Sequence, residues 1–365
     1  MKVLFIVPYP TEGPSFRYRV EQFLPYLEQN GIEYKVSSFM SSNFYNYVYA
    51  RKKRNAAKLL VYFLQGLARR IADLVRADQY DLVFIHLEAF PIGPPLFEWL
   101  CTRLKRPLVF DLDDAIFMKH KVGSNKIINF LKYPAKIPAI IRLSSEVIVC
   151  NDYLKSYAAR YIQEEKIHVI PTSLDVTKFQ PQEGRKSDAA LTIGWIGSHT
   201  TAPYLELLRA VFQDLSRKYD FTLKVVGAAR PFTIPGVKVI NADWSLSRDI
   251  AEFQSLDIGV YPLADDEWIK GKTGFKTCQY LAVGVPCVVS NAGRNKEIIR
   301  DGENGFLASN EKEWVEKLSR LIEDEGLRQK FAREGRKTVE ERFCIQVNAA
   351  RFLAVLEQAS KAFAQ

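Results

Sequence analysis

Residues 271–290 read GKTGFKTCQYLAVGVPCVVS and combine a short helix with a buried strand. The run 275–283 is helical in pattern, Gly284 suits a left-handed C-terminal position, and Pro286 prevents the helix from continuing. The β-branched stretch 287–290 then predicts a strand. Two lysines and two glycines stand directly before the helix. The entrance to this helix is therefore positively charged and carries little side-chain bulk.

The same alternation of short apolar runs and helical patterns extends over the 365 residues. Six runs in the first half of the chain predict strands: 3–7, 34–39, 82–87, 108–112, 146–150 and 168–171. Five more runs follow: 191–197, 222–227, 237–241, 257–263 and 287–290. Near-continuous apolar strands separated by helices indicate parallel sheets covered on both faces. We therefore predict an α/β protein with two Rossmann-like, doubly wound domains.

The two series of strands are separated by a stretch without periodicity, which contains Pro, Gly and several charges. Such composition indicates a linker, here over residues 173–189. It divides an N-terminal domain, residues 1–172, from a C-terminal domain, residues 190–344. Ligands of open parallel sheets bind beyond the carboxyl ends of the strands, so these ends are where we expect the site.

Composition excludes several classes of protein. The five cysteines are scattered without a CxxC pair, and the four histidines have no metal-ligand spacing. These features argue against a disulfide framework and against a metal site, and they favour a reducing cytoplasm. No apolar run reaches about 18 residues, and the first residues, MKVLFIVPYP, resemble a buried strand more than a signal peptide. We expect a cytoplasmic protein with no metal and no cofactor.

The entrance to the helix at 275–283 has the features of an anion site. Its first-turn amides lack intrahelical partners and carry the positive end of the helix dipole. Gly271 and Gly274 let a ligand approach the backbone, and Lys272 and Lys276 add full charges. These parts suit a phosphate, and a diphosphate better still. An ordinary loop with solvated lysines is the alternative.

A second glycine turn follows the strand at 191–197. Gly197 and Ser198 end the strand, and Thr200 and Thr201 then predict the cap of an amphipathic helix. Two helix N-termini of one domain would then face one diphosphate. Trp244, just past another strand, offers a surface for stacking a nucleotide base, although a core or rim position is equally compatible with its place in the sequence.

The sequence resembles the retaining glycosyltransferases of family 4, which have the GT-B fold, over essentially the whole chain. The most specific part is GKTGFKTCQYLAVGVPCVVSNAGRNKEIIRDGENGFL (271–307), and VLFIVPYP (3–10) is similar to the family's first strand. The FK–QY and DDAIF patterns, at 275–280 and 113–117, are typical of one subgroup. The resemblance implies two domains facing each other across a cleft. It also implies a last helix, about residues 345–365, that crosses back to the first domain.

The resemblance further implies a nucleotide-sugar donor on the C-terminal domain, an acceptor on the N-terminal domain, and retention of anomeric configuration without metal. Helix amides and basic side chains would stabilise the leaving diphosphate in place of a cation. The residues implied for the diphosphate are Gly13, Gly197, Ser198, Thr201, Lys272, Gly274, Phe275 and Lys276. Those implied for the nucleoside are Trp244 and Gln279, and those implied for catalysis are Asp113, Asp114 and Lys276.

The sequence departs from the family pattern at three positions. Gly271 and Gln279 stand where the family has two glutamates, and Asp113 stands where it has a histidine. Gln279 can still exchange hydrogen bonds with ribose hydroxyls. One of three nearby carboxylates could replace the first glutamate: that of Asp265, Asp266 or Glu267. The sequence leaves this choice open.

Four residues of the N-terminal domain are candidates for binding the acceptor: Arg17, Arg19, His86 and Glu88. The two arginines follow the first strand, where a guanidinium can bind an acceptor phosphate with two hydrogen bonds. A salt bridge on a helix surface is the alternative for these arginines.

Most of the net charge of +9 lies in residues 1–180, which carry 25 Lys and Arg against 17 Asp and Glu. The segment 43–74 mixes aromatic and apolar residues with basic ones: Arg51, Lys52, Lys53, Arg54, Lys58, Arg69 and Arg70. A second basic stretch covers 119–136. The pattern predicts peripheral association with an anionic membrane, at the inner face of the plasma membrane, and a lipid-linked or cell-envelope glycan acceptor. A core-packed amphipathic helix and a solvated basic face are the alternatives.

Three other functions stay open at this point. The missing glutamates are compatible with a catalytically degenerate protein that binds nucleotide sugars. A nucleotide-sugar epimerase of the same fold would need acidic pairs and histidines that this chain largely lacks. A basic polyanion-binding protein is compatible with the charge, but the sequence contains no nucleic-acid-binding motif.

Overall fold

The computed structural model describes residues 1–49, 55–118, 133–182, 190–228 and 230–364. The chain forms two compact units: residues 1–173 with 348–365, and residues 174–347. Each unit is built on a six-stranded sheet whose paired strands run parallel. Helices connect the strands in both units. The predicted α/β class with two Rossmann-like units is confirmed.

The first sheet has the order β2-β1-β3-β4-β5-β6. Its strands are β1 Lys2–Val7, β2 Glu33–Ser38, β3 Leu82–His86, β4 Leu108–Leu112, β5 Glu146–Val149 and β6 Ile167–Val169. The described α-helices of this part are α1 Pro14–Arg19, α2 Leu24–Gln29, α3 Ser42–Tyr49, α4 Ala56–Val75, α5 Leu96–Arg103, α6 Lys136–Leu143 and α7 Asp152–Ala158. Strands β1, β3 and β4 are wholly or almost wholly buried because their residues are apolar on both faces.

The second sheet has the order β12-β11-β10-β7-β8-β9. Its strands are β7 Leu191–Ile196, β8 Phe221–Val226, β9 Lys238–Ala242, β10 Ile258–Tyr261, β11 Cys287–Ser290 and β12 Phe306–Ala308. The described α-helices that follow are α8 Arg209–Ser216, α9 Asp249–Gln254, α10 Glu267–Lys270, α11 Phe275–Ala282, α12 Asn295–Ile298, α13 Glu311–Glu323, α14 Glu325–Arg342 and α15 Ile345–Ala364. Phe352 of α15 packs on Phe23 and Phe84, with ring centroids 4.8 and 5.3 Å away, which attaches this helix to the first unit.

Each sheet contains one point where the chain reverses the direction in which it adds strands. In the first sheet this switch lies between β1 and β3, and in the second between β7 and β10. Loops that leave neighbouring strands in opposite directions open a crevice at the carboxyl edge, where ligands of such sheets bind. The loops after β1, β3, β7 and β10 are therefore the places to search for a site.

Several boundaries differ from the prediction. The units divide between Ser173 and Leu174, so residues 174–182 of the predicted linker belong to the second unit. Leu174 forms a β-bridge with Cys344 there. Strand β12 was not predicted, because three residues after a turn are too few to show a period of two. The segment 43–74 is not one helix, since α3 ends at Tyr49 and α4 begins at Ala56.

Among the described residues, no helix combines the length and the hydrophobicity needed to cross a bilayer.

Candidate functional site

Helix α11 begins at the switch point of the second sheet, shortly after β10. Gly274 precedes its first residue with φ +66°, a left-handed conformation that side chains rarely adopt. A β-carbon on Gly274 would lie 2.5 Å from Cδ1 of Ile298 and 3.4 Å from Cβ of Arg294. The glycine is thus required both by the turn and by the close packing of α12 against it.

Two lysines flank this helix start, and both are half-buried. The Lys272 ammonium lies 3.7 Å from the ring centroid of Trp268, and that of Lys276 lies 4.9 Å from the ring centroid of Phe253. Cation–π contacts of this kind restrain a flexible lysine without neutralising its charge. The α11 entrance therefore combines first-turn amides with two restrained ammonium groups, as an anion site requires.

Gln279 lies one turn further along α11 and is 1% exposed. Its Oε1 has no hydrogen-bond partner among the described residues. A buried carbonyl oxygen without a donor costs about 1–3 kcal/mol. A ligand hydroxyl or a water that donates to this oxygen would remove that cost. The predicted role of Gln279 in nucleoside binding stays a prediction.

The Gly197 turn follows β7, the other strand at the switch point. Its amide donates to the Val226 carbonyl at 3.1 Å. A β-carbon on Gly197 would meet the ring of Trp195 at 2.2 Å, and one on Gly227 would meet the carbonyl oxygen of Gly197 at 2.3 Å. Gly227 was not singled out from the sequence, although its position directly after a buried strand is the signal that marked Gly197.

The predicted threonine cap is correct in its position, because Thr201 directly precedes the helical stretch, but the Thr201 side chain makes no capping hydrogen bond to that stretch. Residues Ala202–Leu208 form a 3₁₀ helix, and the α-helix starts only at Arg209. The Thr201 hydroxyl exchanges hydrogen bonds of 3.2 Å with the backbone of Ser198, and Ser198 Oγ lies 2.7 Å from Thr200 Oγ1. Hydroxyl groups that bond locally compete with regular helix formation, which explains the tighter turn. The predicted diphosphate contacts of Ser198 and Thr201 remain untested.

Trp244 is half-buried beyond β9, the edge strand of the sheet. Its indole Nε1 donates to Asp249 Oδ1 at 2.7 Å. A β-carbon on Gly227 would be 3.3 Å from Cβ of Trp244, so the Trp244 backbone lies next to the glycine turns. The structure thus fixes the indole orientation and leaves its role in base stacking a prediction.

The three acids considered as replacements for the missing glutamate have different surroundings. Asp266 accepts a hydrogen bond from the Ile269 amide at 2.9 Å and caps α10, and Glu267 pairs with Lys270. Asp265 is exposed. Arg294 is a further basic group that was not predicted as a site residue. It is 6% exposed and packs at the α11 entrance, and its position within the quoted motif 271–307 was the available signal.

The first unit has a second cluster, at the switch point between β1 and β3. Asp111, at the end of β4, is fully buried and forms an ion pair with Arg19. Its Oδ2 lies 2.6 Å from His86 Nδ1. Burial alone would raise the pKa of Asp111, but the Arg19 guanidinium and the His86 ring hold it below its ordinary value. The carboxylate is therefore ionised and fixed.

The cluster corrects two of the predicted acceptor contacts. Arg19 is 1% exposed, and it donates to Asp111 and, at 2.7 Å, to the Ile170 carbonyl. His86 is fully buried. Neither side chain has surface for an acceptor, because the ion pair holds both beneath the edge of the sheet.

The other predicted contacts of this unit are partly occupied. Arg17 is 9% exposed and donates to the carbonyls of Thr11 and Glu12 at 2.9 and 3.1 Å, so it braces the turn after β1. Glu88 forms an ion pair of 2.8 Å with Lys136. These contacts make both groups part of the scaffold at the edge and leave their acceptor role untested.

Gly13 and two aspartates complete this edge. A β-carbon on Gly13 would lie 2.5 Å from Cβ of Tyr9, so the turn is closely packed there. Asp114 Oδ1 accepts from the Ala115 amide at 2.8 Å. Asp113 is 9% exposed, and burial raises its pKa although His86 and Arg19 act in the opposite direction. Asp113 is the better placed of the two predicted catalytic acids for exchanging a proton.

Leu87, directly after β3, has φ +61°. Its amide donates to the Asp111 carbonyl at 2.8 Å, and the next amide, of Glu88, donates to the His86 carbonyl at 2.7 Å. A leucine in this conformation is strained, and such strain is held in place at functional sites more often than elsewhere. The loop after β3 therefore adopts a strained conformation beside the Asp111 cluster.

Among the described residues, no group of three or more His, Cys, Asp or Glu side chains is arranged to hold a metal ion.

One family model matches part of the second unit. Residues 190–324 match the family described as group 1 glycosyl transferases. The strands of the second sheet and α11 lie inside the matched range.

Three curated proteins are similar over part of the chain. The spore coat protein SA of Bacillus subtilis is 31% identical over 81 residues, which cover 21% of this chain and 22% of that protein. The capsular polysaccharide biosynthesis glycosyltransferase CapM of Staphylococcus aureus is 24% identical, with 48% of each chain covered. The MMP α-(1→4)-mannosyltransferase of Mycolicibacterium hassiacum is 26% identical, over 61% of this chain and 55% of that one. The chain thus spans between about a fifth and about half of these relatives.

Solved structures match the fold over nearly the whole chain. Sucrose-phosphate synthase from Thermosynechococcus elongatus has a TM-score of 0.71 at 15% identity, with 99% of each chain covered. Anabaena HepE in complex with UDP and glucose has a TM-score of 0.69 at 15% identity, with 98% of this chain and all of that one covered. These matches confirm the predicted GT-B class of fold.

Proposed function

We propose that the protein is a retaining hexosyltransferase that moves a sugar from a nucleoside-diphosphate donor to a saccharide acceptor without a bound metal. The observation that carries the proposal is the α11 entrance at the β7–β10 switch point. There the left-handed Gly274 precedes the first turn of α11, whose Phe275 amide donates to Thr273 Oγ1 at 3.3 Å, and Lys272 and Lys276 are restrained beside this turn. Amide dipoles and ammonium groups placed in this way stabilise the charge that develops on a leaving diphosphate.

The comparisons support this proposal at a coarser level. The second unit matches a glycosyltransferase family, and one structural neighbour was solved with UDP and glucose. Two relatives are a glycosyltransferase of capsular polysaccharide biosynthesis and a mannosyltransferase. The acceptor that we propose is accordingly a cell-envelope or lipid-linked glycan.

Titration calorimetry with UDP, GDP and ADP tests the donor site. Replacing Lys276 by alanine should weaken diphosphate binding by about 1–3 kcal/mol, because a charged hydrogen bond is lost. Lys312→Ala, which removes the same charge from an exposed position of the same unit, is the control and should bind as the wild type does. Equal affinities of the wild type and Lys276→Ala would remove this lysine from the site.

Two further measurements test the metal and the stereochemistry. Nucleotide affinity in excess EDTA should equal that in magnesium, since protein groups replace the cation. Proton NMR of the first-formed product should show the anomeric configuration of the donor. A requirement for magnesium, or an inverted product, would contradict the corresponding part of the proposal.

A catalytically degenerate binding protein is the second candidate, because Gly271 and Gln279 stand at the positions of the family's two glutamates. Nucleotide sugars that bind and stabilise the wild type, with no transfer to any acceptor and no donor hydrolysis, would favour this second function.

We propose in addition that the first unit lies on an anionic membrane through helices α4 and α5. The α4 face consists of apolar side chains that are more than half exposed: Leu60, Val61, Leu64, Ile71 and Val75. The neighbouring α5 adds Leu96, Trp99 and Leu104, which are 42–60% exposed. Exposed apolar residues of this number on one surface mark an interaction site.

Charge favours a lipid surface as the partner of this apolar face. Exposed basic residues border it: Lys58, Arg76, Arg103 and Lys105. Arg70, which was among the basic residues predicted to face the membrane, cannot contact lipid. It is 2% exposed and donates hydrogen bonds to Asp73 and to the Val7 and Ala89 carbonyls. Residues 51–54 and 119–132 of the predicted basic stretches lie outside the described residues.

Co-sedimentation with phosphatidylglycerol vesicles tests the membrane face. Leu64→Gln with Ile71→Gln should reduce binding, whereas Leu207→Gln, at a 49% exposed position of the second unit, should not. Absence of wild-type binding at low salt, or dimers of the wild type that the double variant disrupts, would contradict a membrane partner.

A further inference from the structure

A serine, a histidine and an aspartate form one continuous chain of hydrogen bonds in the first unit. Ser15 Oγ makes a short hydrogen bond with His86 Nε2, and His86 Nδ1 lies 2.6 Å from Asp111 Oδ2. The three residues belong to α1, β3 and β4, so they are distant in sequence and meet only through the sheet. Hydrogen bonds in this order can move a proton away from the serine hydroxyl.

The surroundings fix the direction of each hydrogen bond. Asp111 is ionised because Arg19 pairs with it, and it therefore accepts the proton on His86 Nδ1. In the neutral ring the Nε2 lone pair then points at Ser15, whose hydroxyl donates to it. Arg19 thus acts at one end of the chain and sets the tautomer that makes Nε2 a base at the other end.

Accessibility distinguishes the three groups. His86 and Asp111 are fully buried, whereas Ser15 is half-buried in the turn after β1, at the switch point of the first sheet. Ser15 is therefore the member of the chain that a ligand at this edge can touch. His86 can therefore act as a base through Ser15 although its own side chain is buried.

We propose that Ser15, His86 and Asp111 form a relay that takes up the proton of the acceptor hydroxyl during sugar transfer, with Ser15 Oγ in contact with the acceptor. This relay rests on the proposed transferase function. Ser15 is its catalytic residue, and His86 and Asp111 are positioning residues that act through it.

The step balances in atoms and charge. The acceptor oxygen forms its bond to the anomeric carbon while the bond from that carbon to the diphosphate breaks, and the electron pair leaves on the nucleoside diphosphate. The acceptor proton passes to Ser15 Oγ as the Ser15 proton passes to His86 Nε2. The resulting imidazolium is stabilised by Asp111 and loses its proton to solvent before the next turnover.

Other charged and titratable groups also face the imidazole or its partners. Asp113 Oδ2 lies 3.4 Å from Ser15 Oγ, and Asp114 follows it. Cys150, after β5, donates to the Asp113 carbonyl at 3.4 Å, and Arg19 approaches from α1. Ionised carboxylates stabilise the imidazolium that forms during the step, and the guanidinium destabilises it.

Steady-state kinetics of the full chain tests the relay, using UDP-glucose, GDP-mannose and ADP-glucose with water or added saccharides as acceptor. Ser15→Ala should lower kcat by about a hundredfold or more. It should leave the KM of the donor and the affinity for its nucleotide unchanged. Ser15→Thr, which keeps a hydroxyl, should recover most of the rate.

Ser41→Ala is the matched control. Ser41 is also half-buried at a helix start, but its hydroxyl accepts from the Phe44 amide at 3.2 Å and meets no histidine. This variant should keep the wild-type kcat. A wild-type kcat in Ser15→Ala would overturn the relay.

Proton NMR of the apo protein reports on the relay without any turnover. The hydrogen bond from His86 to Asp111 should give a far-downfield imidazole resonance that Ser15→Ala retains and His86→Gln lacks. Its absence from the wild type would also overturn the proposal. If the wild type binds none of the three nucleotides, the transferase function is contradicted. If Ser15→Ala binds nucleotide and transfers sugar as the wild type does, only the relay is contradicted.

Discussion

The carboxyl edges of the two sheets share a topology and differ in their chemistry. In the first unit, buried charges are paired with one another, as Arg19, Asp111 and His86 show. In the second unit the edge consists of glycine turns, first-turn amides and lysines held on aromatic rings. The first edge is thus built on paired buried charges, whereas the second combines lysines with a buried Gln279 carbonyl that has no hydrogen-bond partner among the described residues.

The same strand topology can therefore support two kinds of chemistry. An anion needs positive potential and close backbone approach, which glycines and helix amides provide. A hydroxyl that must lose its proton needs a base whose tautomer is fixed, which a buried carboxylate provides.

The first edge should be the more sensitive to loss of one charge. Arg19→Ala leaves the Asp111 carboxylate buried without its cation, so we expect a loss of about 3–5 kcal/mol in the free energy of unfolding. Urea denaturation measures this loss. Arg217→Ala, which breaks an exposed pair with Asp214, should cost no more than about 1 kcal/mol. Similar losses in the two variants would show that the buried Asp111 carboxylate does not depend on its ion pair with Arg19.

The second edge should be sensitive to side-chain bulk. Gly227 and Gly236 have similar φ values, +84° and +80°, but only the β-carbon at 227 would meet backbone, the Gly197 carbonyl at 2.3 Å. Gly227→Ala should therefore destabilise the protein by about 1–3 kcal/mol more than Gly236→Ala.

The same pair of glycine variants distinguishes binding from stability. Gly227→Ala should weaken UDP, GDP or ADP binding, because it displaces the Gly197 turn, while Gly236→Ala should bind as the wild type does. Thermal denaturation and calorimetry provide the two measurements. Equal nucleotide affinities of Gly227→Ala and Gly236→Ala would show that the Gly197 turn does not contact the diphosphate.

Removing a polar group should have opposite effects at two buried positions of the second unit. Gln279→Leu removes an unpartnered carbonyl and should raise the free energy of unfolding by about 1 kcal/mol while weakening nucleotide binding. Asn304→Leu should lower stability, since Asn304 bonds to Arg300, Ile298 and Thr338. A destabilised Gln279→Leu protein would show that this amide serves the fold and not a ligand.

The smallest effect concerns the pH dependence of stability at Asp113. Burial raises its pKa in the folded protein, against the influence of His86 and Arg19, with further contributions from Asp111 and Asp114 that raise it. Its contribution to stability is present below its unfolded-state pKa and is lost as pH rises through the higher folded-state value. The stability of Asp113→Asn relative to the wild type should therefore increase as pH rises from about 4.

Urea denaturation at a series of pH values measures this difference. A difference between the two proteins that stays constant, or that decreases with pH, would show that Asp113 is not held in its protonated form by the fold.

The sequence was sufficient for the elements with strong local signals. The apolar runs predicted eleven of the twelve strands found in the described part of the chain. Gly284 and Pro286 marked the end of α11 because their backbone conformations are restricted. Strand β12, with three residues, carried no periodic signal. The threonine pair after Gly197 predicted a cap and gave a 3₁₀ turn, because hydroxyls can satisfy the local backbone in more than one way.

The two candidate sites also differ in how much of them the sequence predicted. Gly274, Lys272 and Lys276 lie within five residues, so composition alone placed them together at one helix entrance. Arg19 and His86 were recognised as candidate site residues, but direct contact of their side chains with the acceptor was predicted and both are buried. A sequence does not reveal whether a polar side chain faces solvent or a buried partner.

The alternation of strands and helices, the glycine turns and the basic helix entrance follow from the sequence, because they depend on neighbours within one turn or one strand. Only the folded chain shows that Ser15, His86 and Asp111 meet, that Arg19 is buried, and that the Gln279 carbonyl has no partner among the described residues. Those contacts join residues up to 151 positions apart, as between Arg19 and Ile170. Only the order of strands in the sheet brings such residues together, and pairing, desolvation and protonation follow from that proximity.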